Sequence, residues 1–311
     1  MRLPVPLRGV VPPLCTPLTG TGEVDARSLA ALVEHLLAAG VHGVFALGTS
    51  GEAAQLTDRR RTAVLRTVVE AVAGRVPVLA GVIDTTTERV VDQARAAAAA
   101  GADALVATAP FFTGTHPVEV AAHFRRIRHA VDLPLFAYDN PGTVHTRLAA
   151  GTLLELAAEG TLAGLKDTTG DLGGLRRLLL GLRTRGLQDA FTVLTGSELT
   201  VDAALLAGAH GVVPGLGNVD PAGYVRLHAH ARAGRWSEAA AEQDRLAGLF
   251  ALVEAAGPDG VSWTSAALGG YKAALHALGV IDCPATSAPL QSLSEAAVAR
   301  VRQLLAEAGL T

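Results

Sequence analysis

The sequence predicts an α/β protein, a closed (β/α)8 barrel (a TIM barrel) followed by a C-terminal three-helix appendage. Three observations predict it. From Arg8 to about Gly234 one rhythm repeats: a short apolar run, a loop rich in Gly, Thr, Asp and Pro, then an amphipathic helical stretch. The apolar runs alternate with no polar face, which suits parallel strands buried on both sides. Eight such units within about 230 residues match a closed barrel better than an open doubly wound sheet.

Each unit can be justified in turn. The run Gly9–Leu14 precedes a helix candidate over Asp25–Ala39, and Gly43–Leu47 precedes one over Asp58–Ala73. Thr57 stands where that second helix needs an N-cap. Val76–Ile83 leads to a helix over Thr87–Ala100, and Ala104–Ala107 to one over Val118–Ala130. The remaining runs are Pro134–Tyr138, Leu162–Lys166, Phe191–Thr195 and Gly211–Pro214. Gly40, Gly74, Gly101 and Gly208 close helices just before the next strand. Asp220-Pro221 puts proline at a first helical position. Residues 1–234 are therefore expected to form the barrel. Residues 235–311 read as a helical extension packed on it, broken near Gly257-Pro258 and Cys283-Pro284.

Composition removes several classes of function. Of 311 residues half are hydrophobic, which supplies a large core and excludes disorder. Charged residues are 18% and the formal net charge is -3, so no basic surface for nucleic acid is implied. Cys15 and Cys283 stand far apart, with no CxxC, which argues against a disulfide framework or a thiolate metal site. Prolines interrupt the N-terminal segment as a signal sequence, and the apolar stretch around Ala96–Ala102 is too short to span a bilayer. A soluble, cytoplasmic protein is expected. The basic residues are 24 Arg against two Lys, Lys166 and Lys272, so each remaining lysine invites the question why Arg would not serve.

In such a barrel the site lies at the C-terminal strand ends. Those ends carry Gly48-Thr49-Ser50-Gly51-Glu52, Pro110-Phe111-Phe112, Tyr138-Asp139-Asn140-Pro141, Lys166, Thr195-Gly196-Ser197-Glu198 and Pro214-Gly215-Leu216-Gly217-Asn218. A lysine is ordinarily solvated. Lys166, however, ends a strand with buried neighbours, where desolvation leaves a neutral, nucleophilic fraction of the amine. Guanidinium stays charged, so Arg cannot replace it there. Lys272 falls in the helical extension, where a surface or packing role is expected. Tyr138 either satisfies its hydroxyl in the interior or, beside a reacting amine, shuttles protons. The 48–51 loop is a simple turn or a cradle for a carboxylate.

Together these motifs resemble the dihydrodipicolinate synthase/N-acetylneuraminate lyase superfamily of pyruvate-dependent, Schiff-base-forming class I aldolases. The resemblance includes Cys15-Thr16-Pro17, the 48–52 loop, the 138–141 turn, Gly164-Leu165-Lys166-Asp167 and Lys272-Ala273-Ala274-Leu275. It implies that Lys166 attacks the ketone of a 2-oxo acid and that Tyr138 relays protons. It implies that Thr49 and Ser50, beside Gly48, hold the pyruvyl carboxylate. Where members act on sugar acids, the loop matching Gly196-Ser197-Glu198 meets substrate hydroxyls, making Glu198 a candidate with Gly215 lining the same pocket. It further implies a homotetramer built as a dimer of dimers, and no metal or organic cofactor, the protonated imine being the electron sink.

Two departures from the synthase pattern stand out. Phe112 replaces a tyrosine whose hydroxyl completes a proton relay across the dimer, and Thr143 replaces an arginine that binds the aldehyde's distal carboxylate. The expected substrates are therefore a 2-oxo acid and an aldehyde, as in aldol cleavage or formation of a 2-oxo-3-deoxy sugar acid. Phe111-Phe112 would form an apolar wall, and Asp139, Thr143 and Glu198 would meet hydroxyls. Dehydration of a deoxy-oxo acid through the same imine is the alternative. Dihydrodipicolinate synthesis ranks below it, and a non-enzymatic ligand-binding barrel last, since a binding module has no need of the amine. Ten histidines include no HExxH, and no nucleotide-binding motif is present. His145 follows Tyr138 closely enough to reach the pocket. Glycines after the seventh and eighth strands leave a phosphorylated substrate open.

Overall fold

The computed structural model describes residues 3–257 and 260–310, so Pro258 of the expected break lies outside the described residues. Eight parallel strands form one sheet: β1 (Gly9–Val10), β2 (Val44–Ala46), β3 (Val78–Gly81), β4 (Ala104–Ala107), β5 (Leu135–Asp139), β6 (Gly164–Asp167), β7 (Thr192–Thr195) and β8 (Gly211–Val212). Their order is β1-β8-β7-β6-β5-β4-β3-β2. The two ends of that order meet: Leu14 N donates to Phe45 O at 2.9 Å and Phe45 N to Pro12 O at 3.0 Å, around a parallel bridge between Pro13 and Phe45. The arrangement matches a (β/α)8 barrel.

β1 is shorter than the apolar run that contains it, because Pro12 and Pro13 have no N–H for the ladder. β8 ends before Pro214, although Val213 N still reaches Thr195 O at 2.7 Å. The helices follow the expected rhythm: α1 (Ala26–Ala38), α2 (Asp58–Val72), α3 (Thr87–Ala100) and α4 (Pro117–Ala130) lie within a residue or so of their expected bounds. A four-residue helix, α5 (Pro141–Val144), intervenes before α6 (Ala150–Ala158), α7 (Leu172–Thr184), α8 (Val201–Ala207) and α9 (Pro221–Arg232). Thr57 caps α2 through Arg60 N, and Asp220 caps α9 ahead of Pro221. Gly101 and Gly208 close α3 and α8 with φ of 90° and 110°, a conformation strained for other residues.

Strand alternation divides the core into two layers. Val11, Phe45, Leu79, Val106, Phe136, Tyr138, Leu194 and Val213 fill the barrel interior, and Leu3 and Leu7 join them. The opposite faces, with Leu105, Leu135, Ala137, Leu165 and Val193, meet the helices.

Three more helices follow: α10 (Trp236–Phe250), α11 (Trp263–Ala277) and α12 (Glu295–Glu307). α10 packs on α9, and α11 packs on α12 and on the turn 251–254. Every residue of α11 from Ser265 to Leu275 is buried. A helix enclosed on all sides needs apolar or small residues all round. At Gly270 a Cβ would lie 2.6 Å from Leu252 O. Among the described residues no helix is long and apolar enough to cross a membrane.

Burial also sets an acid limit. His123, His210 and His228 are each pushed down to about 4 by desolvation. His123 binds Thr87 Oγ1 and Thr108 O, whereas the buried His228 Nε2 has no hydrogen-bond partner among the described residues and its ring meets His42 edge-on. Unfolded histidine titrates near 6.5, so between about pH 6.5 and 4 the unfolded chain binds more protons and stability falls as pH falls. Asp139, raised to about 6 chiefly by burial, and Glu198, also raised by burial, act in the opposite sense, but they are two groups against five, since His35 and His42 are lowered as well. The melting temperature should be lower by roughly 5 °C or more at pH 4.5 than at pH 7. A calorimetric midpoint that is flat across this window would contradict the account.

Candidate active site

Tyr138 and Lys166 are register partners on β5 and β6, so their side chains emerge side by side on the inner face of the sheet. Lys166 is only 6% exposed, and its Nζ lies 4.1 Å from the centre of the Tyr138 ring and 5.1 Å from that of Phe45. Gly196 makes room for this lysine, since a Cβ there would come within 3.2 Å of Lys166 Cε. Burial pushes the Tyr138 phenol up. The nearby Lys166 charge and hydrogen bonds with Thr49, Thr168 and Lys166 outweigh it and bring the phenol below its ordinary value. The phenol and the amine therefore lie in contact in one buried polar cluster.

The loop after β2 brings Thr49 to this pair, with Thr49 Oγ1 3.2 Å from the Tyr138 hydroxyl. Two left-handed residues, Leu47 and Glu52, fold the loop back on itself. Gly51 N and Ala53 N both donate to Gly48 O, and Thr16 Oγ1 holds Gly51 O at 2.8 Å. At Gly51 a Cβ would approach Leu14 O, Leu47 N and Gly48 N within 3.2 Å, so this approach needs glycine. Thr49 and Ser50 line a cavity of about 760 Å³ over Lys166. Gly48 supports the loop from beneath, against Phe45, and is not part of the cavity wall.

The cavity also gathers Gly196, Glu198, Gly215 and Thr143. Several of the expected contacts need correction. Asp139 faces the helix layer, where it accepts Leu148 N at 3.3 Å and pairs with Arg147 Nε at 3.4 Å. The physical reason is alternation: if Tyr138 points in, its neighbour points out. Glu198 lines the cavity, but Oε1 already accepts from Leu216 N and the Tyr224 hydroxyl, and Oε2 from the Tyr271 hydroxyl. Burial raises this acid above its ordinary value, and these donors offset only part of that cost. These bonds hold the turn after β8. Phe112 is 95% exposed with φ of 80°, and Phe111 packs against the outer core, so neither walls its own chain's cavity. His145 is exposed and also absent from that wall.

Some site residues escaped the sequence reading. Thr168 lies two positions after Lys166, so alternation alone would have pointed it into the same cavity. Asn140 donates through Nδ2 to the Tyr138 hydroxyl at 3.0 Å and to Thr143 Oγ1 at 3.1 Å. Phe250, Trp263, Thr264, Leu268 and Tyr271 come from the C-terminal helices, and no local signal in the sequence says which helix face meets the barrel.

Lys272 is also more than packing. It is fully buried and ion-paired with the equally buried Glu52 of the loop after β2. Lys272 Nζ donates to Ala285 O at 2.7 Å, and Glu52 Oε2 accepts Ser287 N at 2.5 Å. One buried pair thus ties α11 and the 285–287 segment to the loop that carries Thr49 and Ser50.

A parallel barrel with a buried lysine and tyrosine joined at its C-terminal rim defines a lyase of the class I aldolase type. The comparisons agree: the profile of the Dihydrodipicolinate synthetase family matches residues 6–308, and the chain belongs to that family. A DapA-like lyase of Halobacterium salinarum is 34% identical over 307 residues, covering 99% of this chain and 96% of that protein. A 4-hydroxy-tetrahydrodipicolinate synthase of Phenylobacterium zucineum is 33% identical, covering 97% and 98%. Among solved structures, YagE, a prophage protein of the dihydrodipicolinic acid synthase family from Escherichia coli K12 in complex with pyruvate, superposes with a TM-score of 0.90. It is 28% identical and covers 98% of this chain and 99% of its own. Dihydrodipicolinate synthase from Bacteroides thetaiotaomicron also gives 0.90, at 30% identity and 97% and 99% coverage.

The buried pair makes a testable statement. Lys272→Met leaves the Glu52 carboxylate uncompensated, and urea unfolding should show a loss of about 3–5 kcal/mol. Adding Glu52→Gln removes the second charge and should recover most of it. A double variant no more stable than the single would show that the charge pairing is not what matters.

Proposed function

We propose that the protein forms a Schiff base between Lys166 and a 2-oxo acid, and makes or breaks the bond between pyruvate and an aldehyde. The substrate class is a 2-oxo-3-deoxy sugar acid or a similar compound. The observation that carries this reading is the Lys166 amine packed against Tyr138, with the Thr49 hydroxyl on the phenol. Thr49 and Ser50, with their backbone N–H groups, hold the carboxylate. The Lys166 lone pair attacks C2, and the carbonyl electron pair moves to oxygen, which takes a proton relayed by Tyr138. Loss of that oxygen as water leaves the protonated imine. In cleavage a base removes the C4 hydroxyl proton, and the C3–C4 electron pair flows into the imine as the aldehyde departs. Protonation of the enamine at C3 and hydrolysis by water then release pyruvate and the lysine. The imine is the electron sink, so this route calls for no metal or organic cofactor.

The cavity supports an uncharged aldehyde. Among the described residues that line it, Lys166 is the only cation, and Asn140, Thr143, Thr168, Thr169, Ser197 and Thr264 offer neutral hydrogen-bonding groups. A second carboxylate, as in dihydrodipicolinate synthesis, or a phosphate would be desolvated there without a cationic partner. Dehydration through the same imine uses the same residues. Contact with a second copy, which a homotetramer would need, is supported by Phe112, since a bulky residue both exposed and left-handed suits such a contact.

Incubation with pyruvate and borohydride should add a reduced pyruvyl group at Lys166, located by mass spectrometry, and Lys166→Arg should abolish it. An adduct that survives that substitution would sink the proposal. Product analysis with a panel of 2-oxo acids then separates cleavage from dehydration. Efficient condensation of pyruvate with aspartate semialdehyde would overturn the preference for an uncharged aldehyde.

A further inference from the structure

The Tyr138 side chain is almost wholly withdrawn from solvent, so its hydroxyl proton moves only among the groups that touch it. A phenol oxygen has one proton to give and two lone pairs to receive. An amide nitrogen only donates, so Asn140 Nδ2, at 3.0 Å, occupies one lone pair whatever the state of the reaction. The other faces the Lys166 side of the ring. The phenol proton is thereby directed towards the hydroxyls beside it, Thr49 Oγ1 at 3.2 Å and Thr168, groups able both to accept and to donate.

Asn140 is itself held in place. Its amide nitrogen also donates to Thr143 Oγ1 at 3.1 Å, which fixes the amide plane. The Asn140 backbone carbonyl accepts from Thr143 N at 3.1 Å and Val144 N at 2.9 Å, which pins the backbone at the head of α5. Thr143 therefore contributes to this site by orienting the amide, besides lining the cavity.

We propose that Asn140 is a positioning residue for proton transfer at Tyr138, keeping the phenol oxygen an acceptor and stabilising its anionic form. The proposal rests on the Lys166 imine reading and adds a residue to it. In the pyruvate imine, a methyl proton passes to the Tyr138 phenolate. Its C–H electron pair becomes the C=C bond of the enamine, and the imine π pair moves to nitrogen. The reverse step returns a proton from Tyr138 to carbon. A neutral donor on the phenol oxygen favours the phenolate, so removing it should shift the step to higher pH.

Exchange of the pyruvate methyl protons in D2O, followed by proton NMR without any aldehyde, reads this step directly. In Asn140→Leu the limb on which exchange rises with pH should move up by about one unit, the scale of one lost hydrogen bond. Borohydride trapping of pyruvate at Lys166 should persist at saturating pyruvate, and Asn140→Gln, which keeps an amide, should bring the limb part of the way back. A limb unmoved in Asn140→Leu overturns the proposal. Should that variant not fold, Asn140→Asp replaces the donor by an acceptor in the same shape. Its limb must move further upward, and an unmoved one is equally fatal. Wild-type protein that neither exchanges methyl protons nor traps pyruvate would overturn the imine reading itself, and this proposal with it.

Discussion

The parallel register between β5 and β6 is the constraint on which the site depends. It pairs Tyr138 with Lys166 and Asp139 with Asp167. Because side chains alternate across a strand, the first pair enters the barrel and the second enters the helix layer. A slip of one residue on either strand would exchange an amine or a phenol for a carboxylate. The register is secured by its apolar neighbours: Phe136 and Leu194 face inward, while Leu135, Ala137, Leu165 and Val193 face the helices. Packing of ordinary aliphatic residues thus decides which polar groups meet.

The loop that completes the site depends on a second interior interaction. Glu52 and Lys272 are both fully buried, and neither charge would be tolerable without the other. Their remaining polar atoms go to Ser287 N and Ala285 O, so the pair is also hydrogen-bonded to chain on the far side of α11. Such a pair contributes little net stability over an apolar substitute, but it disfavours other positions of the loop relative to α11. The two lysines of this chain therefore share a property: both are interior. Arginine serves the surface ion pairs, as in Arg125 with Glu155 and Glu159 and Arg59 with Glu23, and also one interior pair, Arg61 with Asp84.

Much of the fold was legible because eight apolar runs and their caps carry local chemistry: prolines, capping side chains and glycines act within a few residues. Strand ends beside prolines were overestimated, since an apolar run continues where the hydrogen-bond ladder cannot. Lys166, Tyr138, Thr49 and Ser50 were legible from their place at strand ends. Asp139 was misplaced because a sequence neighbour was treated as a spatial one, and Thr168 was overlooked for the same reason, two residues beyond Lys166. Tyr271, Phe250 and Trp263 had no local signal, because α11 is buried on all sides and its contacts are set by tertiary packing. Lys272 was undervalued on the same ground: its partner stands 220 residues away in the sequence.

Charge in the cavity is concentrated at the reacting end. Lys166 couples to the Tyr138 phenol, whereas Glu198, the acidic group on the wall, is enclosed by Tyr224, Tyr271 and the Leu216 backbone. With its oxygens committed, Glu198 fixes the position of the turn after β8 and of α11, and Gly215 leaves room for the Tyr271 hydroxyl that reaches it. The far part of the cavity is bounded by neutral amide and hydroxyl groups together with Phe250, Trp263 and Leu268. The polar groups able to stabilise developing charge thus cluster at Lys166, Tyr138 and Thr49, and the rest of the cavity offers shape and neutral hydrogen bonding. Substitutions in the C-terminal helices therefore reshape that wall of the cavity while leaving the lysine–tyrosine pair untouched.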